Sequence, residues 1–277
     1  MLVEQTPIEQ LVCFFESHQS IFVITGAGIS TESGIPDYRD ENGDWKRRSP
    51  ITHQQYIREE AFRKRYWSRS MVGWKMMKEA TPNQGHLALT SLEKAGLLQV
   101  IATQNVDGLH QQAGSQHVID LHGNIARCIC MQCGKSIHRQ DLQIALEAVN
   151  PDFTDLTANS APDGDADLNC YHLVEFQVPD CETCGGLLMP DVVFYGGSVP
   201  KTRVNYLNQQ LANSDAMLVI GSSLMTYSSY RYCLDGASQN KPIIAINRGV
   251  TRADPLLAYK IEDHCGEILN GLISHLL

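Results

Sequence analysis

Four cysteines in this chain have the spacing of metal ligands. They form two C-x2-C pairs, each followed by a glycine, and they are Cys130, Cys133, Cys181 and Cys184. Two such hairpins present four thiolates in a tetrahedron, which suits Zn²⁺ and leaves no open position for catalysis. We therefore expect a structural zinc that holds a local module together. Cys128 and Cys170 are alternative ligands, although only one residue separates Cys128 from Cys130.

A second group of side chains with chemical potential follows the apolar run at 98–103. Gln104, Asn105 and Asp107 provide an amide pair and a carboxylate that are suited to hold a carboxamide. Asn105 or Asp107 could instead cap the helix that follows. His122 precedes a glycine shortly before the first cysteine pair, and a histidine can act as a general base near neutral pH. Because a lone histidine is more often structural, its assignment depends on the other motifs.

A glycine-rich loop follows the apolar run at 21–24. Gly26, Ala27 and Gly28 are small enough for the backbone to approach a phosphate at the end of a buried strand. An ordinary dinucleotide fingerprint would have a third glycine where Thr31 stands, and an acidic residue after a second strand about 20 residues further on. Since both features are missing, the loop predicts a nucleotide site for a reaction other than hydride transfer.

Five apolar runs alternate with helical segments and would position these groups. The runs are residues 21–24, 98–103, 192–194, 216–220 and 242–246. This alternation predicts an α/β fold in which a parallel sheet has helices on both faces. Small or polar residues follow each run, and in an open parallel sheet these positions share the edge where ligands bind. We therefore expect one composite site.

Composition and charge weigh against several functional classes. The chain has 277 residues, 43% of them hydrophobic, which is enough for a sizeable core. Its net charge of -9 disfavours nucleic-acid binding. No run approaches the roughly 18 apolar residues of a membrane span, and the N-terminus lacks a basic or arginine-rich leader. We expect a cytoplasmic protein, with a mitochondrial location only if a transit peptide is missing from this sequence.

Taken together and in order, the motifs resemble the sirtuin family of NAD-dependent protein deacylases. They are Gly26-Ala27-Gly28-Ile29-Ser30, Gly34-Ile35-Pro36-Asp37-Tyr38-Arg39, Thr103-Gln104-Asn105-Val106-Asp107, Leu121-His122-Gly123, the two C-x2-C pairs, Gly221-Ser222-Ser223-Leu224 and Asn247. The resemblance covers nearly the whole chain. Details such as Tyr66-Trp67-Ser68-Arg69 are most similar to the mitochondrial sirtuin-4 branch and its bacterial relatives.

The resemblance implies that NAD is consumed as a co-substrate. In sirtuins the carbonyl oxygen of an acyl-lysine attacks the ribose carbon that bears nicotinamide. The family's histidine, matched by His122, then activates a ribose hydroxyl so that the acyl group moves to ADP-ribose. The products are free lysine, nicotinamide and O-acyl-ADP-ribose. The implied partners are proteins or peptides that carry acyl-lysine, and the implied catalytic residues are His122 and Asn105.

The resemblance also assigns binding residues. The implied NAD site consists of Gly26, Ala27, Gly28, Glu32, Pro36, Asp37, Tyr38, Arg39, Gln104, Asn105, Asp107, His122, Gly221, Ser222, Ser223, Asn247, Gly249 and Cys265. The implied site for the acyl chain and its peptide consists of Tyr66, Arg69, Val193, Tyr195, Gly196 and Leu224. The peptide would add as a strand between residues 195–198 and 224–227, where backbone hydrogen bonds provide affinity.

The family resemblance implies two domains. Residues 1–40, 84–124 and 191–277 would form a Rossmann-like NAD-binding domain. Residues 41–83, which look helical and aromatic, and residues 125–190, which contain the cysteine pairs and an acidic stretch at 161–167, would form a smaller inserted domain with the zinc.

The chain departs from the common family pattern in three motifs. Tyr38 replaces a frequent phenylalanine, Thr226 replaces a frequent valine, and the peptide clamp reads Tyr195-Gly196-Gly197 instead of Phe-Gly-Glu. The first change keeps a ring that can shield the reacting centre. The other two alter the expected peptide preference.

Tyr66 and Arg69 match a Tyr-x-x-Arg pair that holds an acidic acyl chain in the desuccinylase branch of the family. Three residues apart on a helix, they would share a face, and the guanidinium could bond a carboxylate. Our hypothesis is that acidic or long acyl groups are better substrates than acetyl. The alternative is an ordinary aromatic residue and cation on a helix surface.

Two other functions compete with deacylation. Mono-ADP-ribosyl transfer shares the cleavage of NAD but passes ADP-ribose to a protein side chain. A zinc-stabilised module that senses NAD without turnover is the other alternative, and His122 argues against it.

Overall fold

The larger of two sheets is parallel and six-stranded in the computed structural model, which describes residues 5–46, 50–154, 156 and 174–277. Strands are numbered along the whole chain, and those of this sheet are β1 (Ile21–Thr25), β2 (Leu98–Thr103), β3 (Val118–Asp120), β7 (Ala216–Ile220), β8 (Ile243–Ile246) and β9 (Tyr259–Ile261). They lie in the order β3-β2-β1-β7-β8-β9 and every neighbouring pair is parallel. The predicted parallel sheet is confirmed.

The smaller sheet is antiparallel and contains β4 (Gly123–Cys130), β5 (Ser136–His138) and β6 (Leu188–Val192), in the order β5-β4-β6. Our prediction that residues 192–194 form a strand of the parallel sheet was wrong. Val192 ends β6, and Val193 and Phe194 lie outside the strands. An apolar run shows that a strand is buried, but it does not show which strand will be its hydrogen-bonded partner.

The helices are α1 (Pro7–Ser17), α2 (His53–Arg58), α3 (Glu60–Glu79), α4 (Gln84–Lys94), α5 (Leu109–Ala113), α6 (Arg139–Val149), α7 (Lys201–Asn213), α8 (Tyr227–Ser238) and α9 (Cys265–Leu276). One face of the parallel sheet packs on α1, α4 and α9 through residues such as Leu11, Leu89 and Leu269. The other face packs on α7 and α8 through residues such as Leu207 and Tyr232. Helices therefore cover both faces, as predicted.

A separate apolar cluster lies beside the smaller sheet. Trp67 and Tyr56, from α3 and α2, are fully buried there against Leu146 of α6 and Phe176. The Tyr56 hydroxyl donates to the carbonyl oxygen of Leu188 in β6 at 2.7 Å. Aromatic side chains of α2 and α3 therefore form part of the core of a helical layer on the antiparallel sheet.

Within the described ranges no helix is both long and apolar enough to cross a membrane. The acidic stretch at 161–167 and Cys170, the second alternative zinc ligand, lie outside the described residues.

Candidate active site

One cavity of about 1210 Å³ runs along the carboxyl ends of the central strands of the parallel sheet. Its volume exceeds the ~300–1,000 Å³ that is typical of small-molecule sites. Most of the predicted residues lie in its wall: Gly26, Ala27, Gly28, Glu32, Asp37, Tyr38, Arg39, Tyr66, Gln104, Asn105, Asp107, His122, Val193, Tyr195, Gly196, Gly221, Ser222, Ser223, Asn247 and Cys265. The fold therefore brings together groups that are up to 239 positions apart, from Gly26 to Cys265.

Four predicted residues lie outside the wall of this cavity: Pro36, Arg69, Leu224 and Gly249. Arg69 is half-buried on α3, one turn beyond Tyr66. Leu224 is buried in the core beside β7, with its backbone N–H on the Ser222 hydroxyl. Gly249 does not line the cavity itself, but its neighbours Arg248 and Val250 do.

The glycines of the first loop pack directly on the loop after β7. The Gly28 N–H donates to the carbonyl oxygen of Gly221 at 2.8 Å. A Cβ atom on Gly28 would lie 2.8 Å from the Gly221 Cα, and one on Gly221 would lie 2.4 Å from the Ile29 nitrogen. Only glycine allows these two loops to meet, and together they leave a strip of bare backbone along the cavity. That strip fits the diphosphate of a dinucleotide.

Gln104 is fixed on three sides by the start of α8 and the loop before it. Its side-chain amide donates to Ser222 Oγ at 2.6 Å. Its Oε1 accepts from Ser229 Oγ at 3.0 Å and from Thr226 Oγ1 at 3.3 Å. The sequence prediction named Gln104 and Ser222 but missed Thr226 and Ser229 as its partners. The cluster of hydroxyl residues at 222–229 was the available signal.

Asn105 and Asp107 belong to one hydrogen-bond network in the cavity wall. The Asn105 amide donates to the carbonyl oxygen of Gly26 at 3.1 Å and to Ser30 Oγ at 3.0 Å. Ser30 donates in turn to Asp107 Oδ2 at 2.8 Å. Asp107 Oδ1 also accepts the N–H of Leu109, so it serves the start of α5, as the capping alternative suggested. Burial raises the pKa of Asp107, although both hydrogen bonds oppose that shift.

His122 lies in the wall of the same cavity. Its Nδ1 is 3.1 Å from the carbonyl oxygen of Gln104, and its Nε2 is 2.7 Å from Ser228 Oγ. Burial lowers the pKa of His122 to about 4; the Gln104 carbonyl opposes this shift and Arg203 adds to it. The imidazole is therefore neutral at pH 7 and can accept a proton, as a general base must.

Gly123 sets the position of His122. It begins β4 opposite Val192 with φ near 93°, a conformation that L side chains rarely adopt. A Cβ atom there would lie 2.0 Å from the carbonyl oxygen of Asp191. The His122 carbonyl oxygen also accepts the N–H of Val193 at 2.7 Å. This close backbone contact ties His122 to the segment that follows β6.

We expect Gly123→Ala to lower the free energy of unfolding by about 1–3 kcal/mol more than Gly96→Ala does. Both glycines have positive φ, but nothing lies within 4 Å of a Cβ atom on Gly96. The pair therefore separates the clash from the backbone strain, and chemical denaturation measures both variants. Equal losses in the two variants would show that the contact between β4 and β6 can relax.

A loop between residues 36 and 46 covers part of the cavity. The Arg39 guanidinium lies 4.0 Å from the ring centre of Trp45, and that ring is 5.4 Å from the ring of Tyr195. Further along, the carbonyl oxygen of Glu41 accepts the N–H of Val250 at 2.8 Å. The loop thus connects the predicted adenosine side to the predicted peptide side. Trp45 lines the cavity, although it was not among the predicted site residues.

The four paired cysteines form one cluster. Their sulfur atoms all lie within 4.8 Å of one another, with Cys130 and Cys184 at 3.5 Å and Cys133 and Cys181 at 3.8 Å. A tetrahedral zinc with Zn–S bonds of about 2.3 Å requires sulfur separations of about 3.8 Å, so the donor set fits Zn²⁺. Cys128 is buried nearby but is not part of the cluster.

Comparison with known proteins agrees with this geometry. The Sir2 family profile matches residues 26–228. An NAD-dependent protein deacetylase of Xanthomonas axonopodis pv. citri is 51% identical over 92% of this chain and 87% of its own length. NAD-dependent protein deacetylase 2 of Bradyrhizobium diazoefficiens is 48% identical over 96% of this chain and 97% of its own. The mitochondrial NAD-dependent protein lipoamidase sirtuin-4 of Bos taurus is 43% identical over 95% of this chain and 84% of its own.

Solved structures show the same fold. A Sir2 structure with a p53 peptide and NAD+ has a TM-score of 0.75 and 26% identity, covering 96% of this chain and 97% of that one. A Sir2Tm structure with a propionylated peptide has a TM-score of 0.77 and 26% identity, covering 97% of this chain and 98% of that one. The chain therefore belongs to the Sir2 family, the sirtuins, which use NAD as a co-substrate.

Proposed function

We propose that this chain is an NAD-dependent protein lysine deacylase that transfers the acyl group of an acyl-lysine to ADP-ribose. The observation that carries the proposal is the placement of His122, a neutral imidazole in the wall of a cavity that also contains the glycine loops. NAD would supply an activated ribose carbon and the hydroxyl that receives the acyl group. The relatives that are named protein deacetylases support the same reaction.

Different residues of this chain would bind the separate parts of NAD and the reacting hydroxyl. The backbone of Gly26, Ala27 and Gly28 would bind the diphosphate, and Gln104 and Asn105 would orient the nicotinamide end. His122 would hold the proton of the reacting hydroxyl at Nε2. At the other end, residues Gly221, Ser222, Ser223, Asn247 and Cys265 would bind the adenosine half, with Gly249 in the same loop as Asn247. Asp37, Tyr38 and Arg39, in the loop over the cavity, would exclude water.

The peptide that carries the acyl-lysine would lie between residues 195–198 and 224–227. Tyr195, Gly196 and Ser198 line the cavity from one segment, and Met225 and Thr226 line it from the other. Two backbone segments that border the same cavity favour binding by strand addition between them. In this arrangement the acyl-lysine side chain would pass Val193 toward Tyr66, both of which line the cavity.

The division into domains follows the same logic. We propose that 1–40, 84–124 and 191–277 form the NAD-binding domain, and that 41–83 and 125–190 form the small domain. The strands of the parallel sheet all fall in the first set, whereas most of the antiparallel sheet falls in the second.

The direct test combines the purified protein with NAD and a panel of acyl-lysine peptides from acetyl to glutaryl, lipoyl and myristoyl. Mass spectrometry should find free lysine, nicotinamide and O-acyl-ADP-ribose in equal amounts. ADP-ribose retained on a protein side chain would instead indicate mono-ADP-ribosyl transfer. Absence of nicotinamide release with every peptide would contradict the proposal.

We further propose a preference for acidic or long acyl groups. Tyr66 is almost fully buried, packs at 5.2 Å on the ring of Phe194 and lines the cavity. Arg69 follows one turn later on α3 and could form a charge-assisted bond to a terminal carboxylate. The relative that is named a lipoamidase supports including a long acyl chain in the comparison.

We expect Arg69→Met to reduce kcat/KM for succinyl-lysine and glutaryl-lysine about tenfold or more, because a charged hydrogen bond contributes about 1.5–3 kcal/mol. Turnover of acetyl-lysine should change little. Arg65→Met is the matched control, since it removes the same guanidinium one turn earlier on the same helix. Equal effects of Arg69→Met on acidic and acetyl substrates would exclude a role in acyl selection.

A further inference from the structure

Ser228 is the second residue of α8, and its side chain contacts the imidazole of His122 in the cavity wall. Its Oγ lies 2.7 Å from Nε2, although the two residues are 106 positions apart. Both line the cavity. Neither the motif spacing nor the family assignment gives Ser228 a role, so the contact requires its own explanation.

The direction of the hydrogen bond between Ser228 and His122 follows from the contact that the other ring nitrogen makes. Nδ1 is 3.1 Å from the Gln104 carbonyl oxygen, which can only accept. Nδ1 must therefore carry the proton of the neutral imidazole, and Nε2 is left with a lone pair. The Ser228 hydroxyl consequently donates to Nε2. This is the tautomer that a base acting through Nε2 needs.

Residues at the start of α8 contribute to the hydrogen-bond contacts of both imidazole nitrogens. Ser228 contacts Nε2 directly. Ser229 and Thr226 donate to the side-chain oxygen of Gln104 at 3.0 and 3.3 Å. The backbone carbonyl oxygen of the same Gln104 is the partner of His122 Nδ1. An imidazole bonded on one side only can still tilt about the bond to Cβ. Bonds at both nitrogens fix its plane as well as its tautomer.

We propose that Ser228 is a positioning residue for His122. It holds the Nε2 lone pair in place until a sugar hydroxyl takes over its hydrogen bond. This inference rests on the proposed function, because it assigns His122 to the deprotonation of that hydroxyl.

The chemistry of a serine suits this role. A carboxylate partner would favour the protonated imidazole, which has no lone pair left to accept a proton, whereas a hydroxyl that donates to Nε2 favours the neutral form. The charge of Arg203 on α7 acts in the same direction, because it lowers the pKa of His122. Ser228 therefore orients the base without charging it.

The first test needs no NAD. Nitrogen-15 NMR of the histidine side chains, with the His122 signals assigned through His122→Asn, reports the tautomer in the full-length protein. We expect the Nδ1–H tautomer in the wild type and in Ser228→Thr. In Ser228→Ala the other tautomer should become populated, or the pKa of His122 should rise by about one unit. An Nε2–H tautomer in the wild type, or identical His122 signals in Ser228→Ala, would overturn the proposal.

The second test is kinetic. Ser228→Ala should lower kcat for acyl transfer about tenfold, the equivalent of one hydrogen bond, with KM for NAD unchanged. Ser228→Thr should restore most of kcat, and Ser238→Ala, an exposed serine at the end of the same helix, is the control. A rise in KM with normal kcat would make Ser228 a binding residue and overturn the proposal. If the wild type does not deacylate, the proposed function fails, while the NMR result still decides the contact.

Discussion

Replacing His122 with alanine is expected to reduce the formation of O-acyl-ADP-ribose by about 10²–10⁴-fold, the usual contribution of a general base. The imidazole lies in the cavity wall with Nε2 held as a proton acceptor. Mass spectrometry of the products measures the loss. His117→Ala is a suitable control, because the His117 side chain is 70% exposed. Unchanged product formation in His122→Ala would remove our assignment of the base.

The pH dependence offers an independent check of the same assignment. The base must be neutral to accept a proton, so activity is lost as the pH falls through its pKa. Because burial lowers the pKa of His122 to about 4, the acidic limb of kcat/KM should lie well below the ordinary histidine value of 6.5. An acidic limb near 6.5 would mean that a different group titrates, or that the ring is more hydrated than the structure shows.

Removal of the zinc is expected to inactivate the enzyme, although the metal lies outside the cavity. Four thiolates leave no coordination position for a substrate, so the effect must pass through the fold. β4 begins immediately after His122 and ends at Cys130, a member of the cysteine cluster. β6 pairs with β4 and ends immediately before Val193, which lines the cavity. The antiparallel sheet thus connects the cysteine cluster directly to His122.

Cys133→Ser should therefore lower zinc content, destabilise the antiparallel sheet and abolish deacylation. A structural zinc can contribute on the order of 10 kcal/mol to folding, so a large effect is expected. Elemental analysis, limited proteolysis and the peptide assay measure the three outcomes. Cys13→Ser is the control, since Cys13 is an exposed thiol on α1, outside the cluster. Full activity in a zinc-free protein would show that the antiparallel sheet holds without its metal.

Much of the fold could be predicted from local sequence signals. Strands such as Ile21–Thr25 and Ala216–Ile220 are continuous apolar runs, and a strand buried on both faces needs such a run. The glycines after β1 mark a close backbone approach, and the cysteine pairs mark a metal site. Each signal lies within a few residues of sequence. The roles of individual site residues stay predictions until the variants are measured.

The strand at 188–192 shows where local signals fail. Its apolar residues predict burial, but the choice between the two sheets depends on pairing with β4, which lies about 60 residues earlier. The cysteine cluster lies at one end of that pair of strands, because Cys130 is the last residue of β4. Sequence periodicity contains no information about such a partner. The prediction therefore placed residues 192–194 in the parallel sheet, whereas only Val192 lies in a strand and that strand is antiparallel.

The sequence by itself determined which groups this protein has for its chemistry: a glycine loop, an amide pair, a histidine that precedes a glycine, and four paired thiols. Only the tertiary structure decided how the histidine is held. The contact between Ser228 and His122 spans 106 positions and has no motif of its own. The contact joins two distant elements. Ser228 lies at the start of α8, which follows β7 of the parallel sheet, whereas His122 immediately precedes β4 of the antiparallel sheet. A side chain's type is written in the sequence, but its hydrogen-bond partner depends on how distant elements pack.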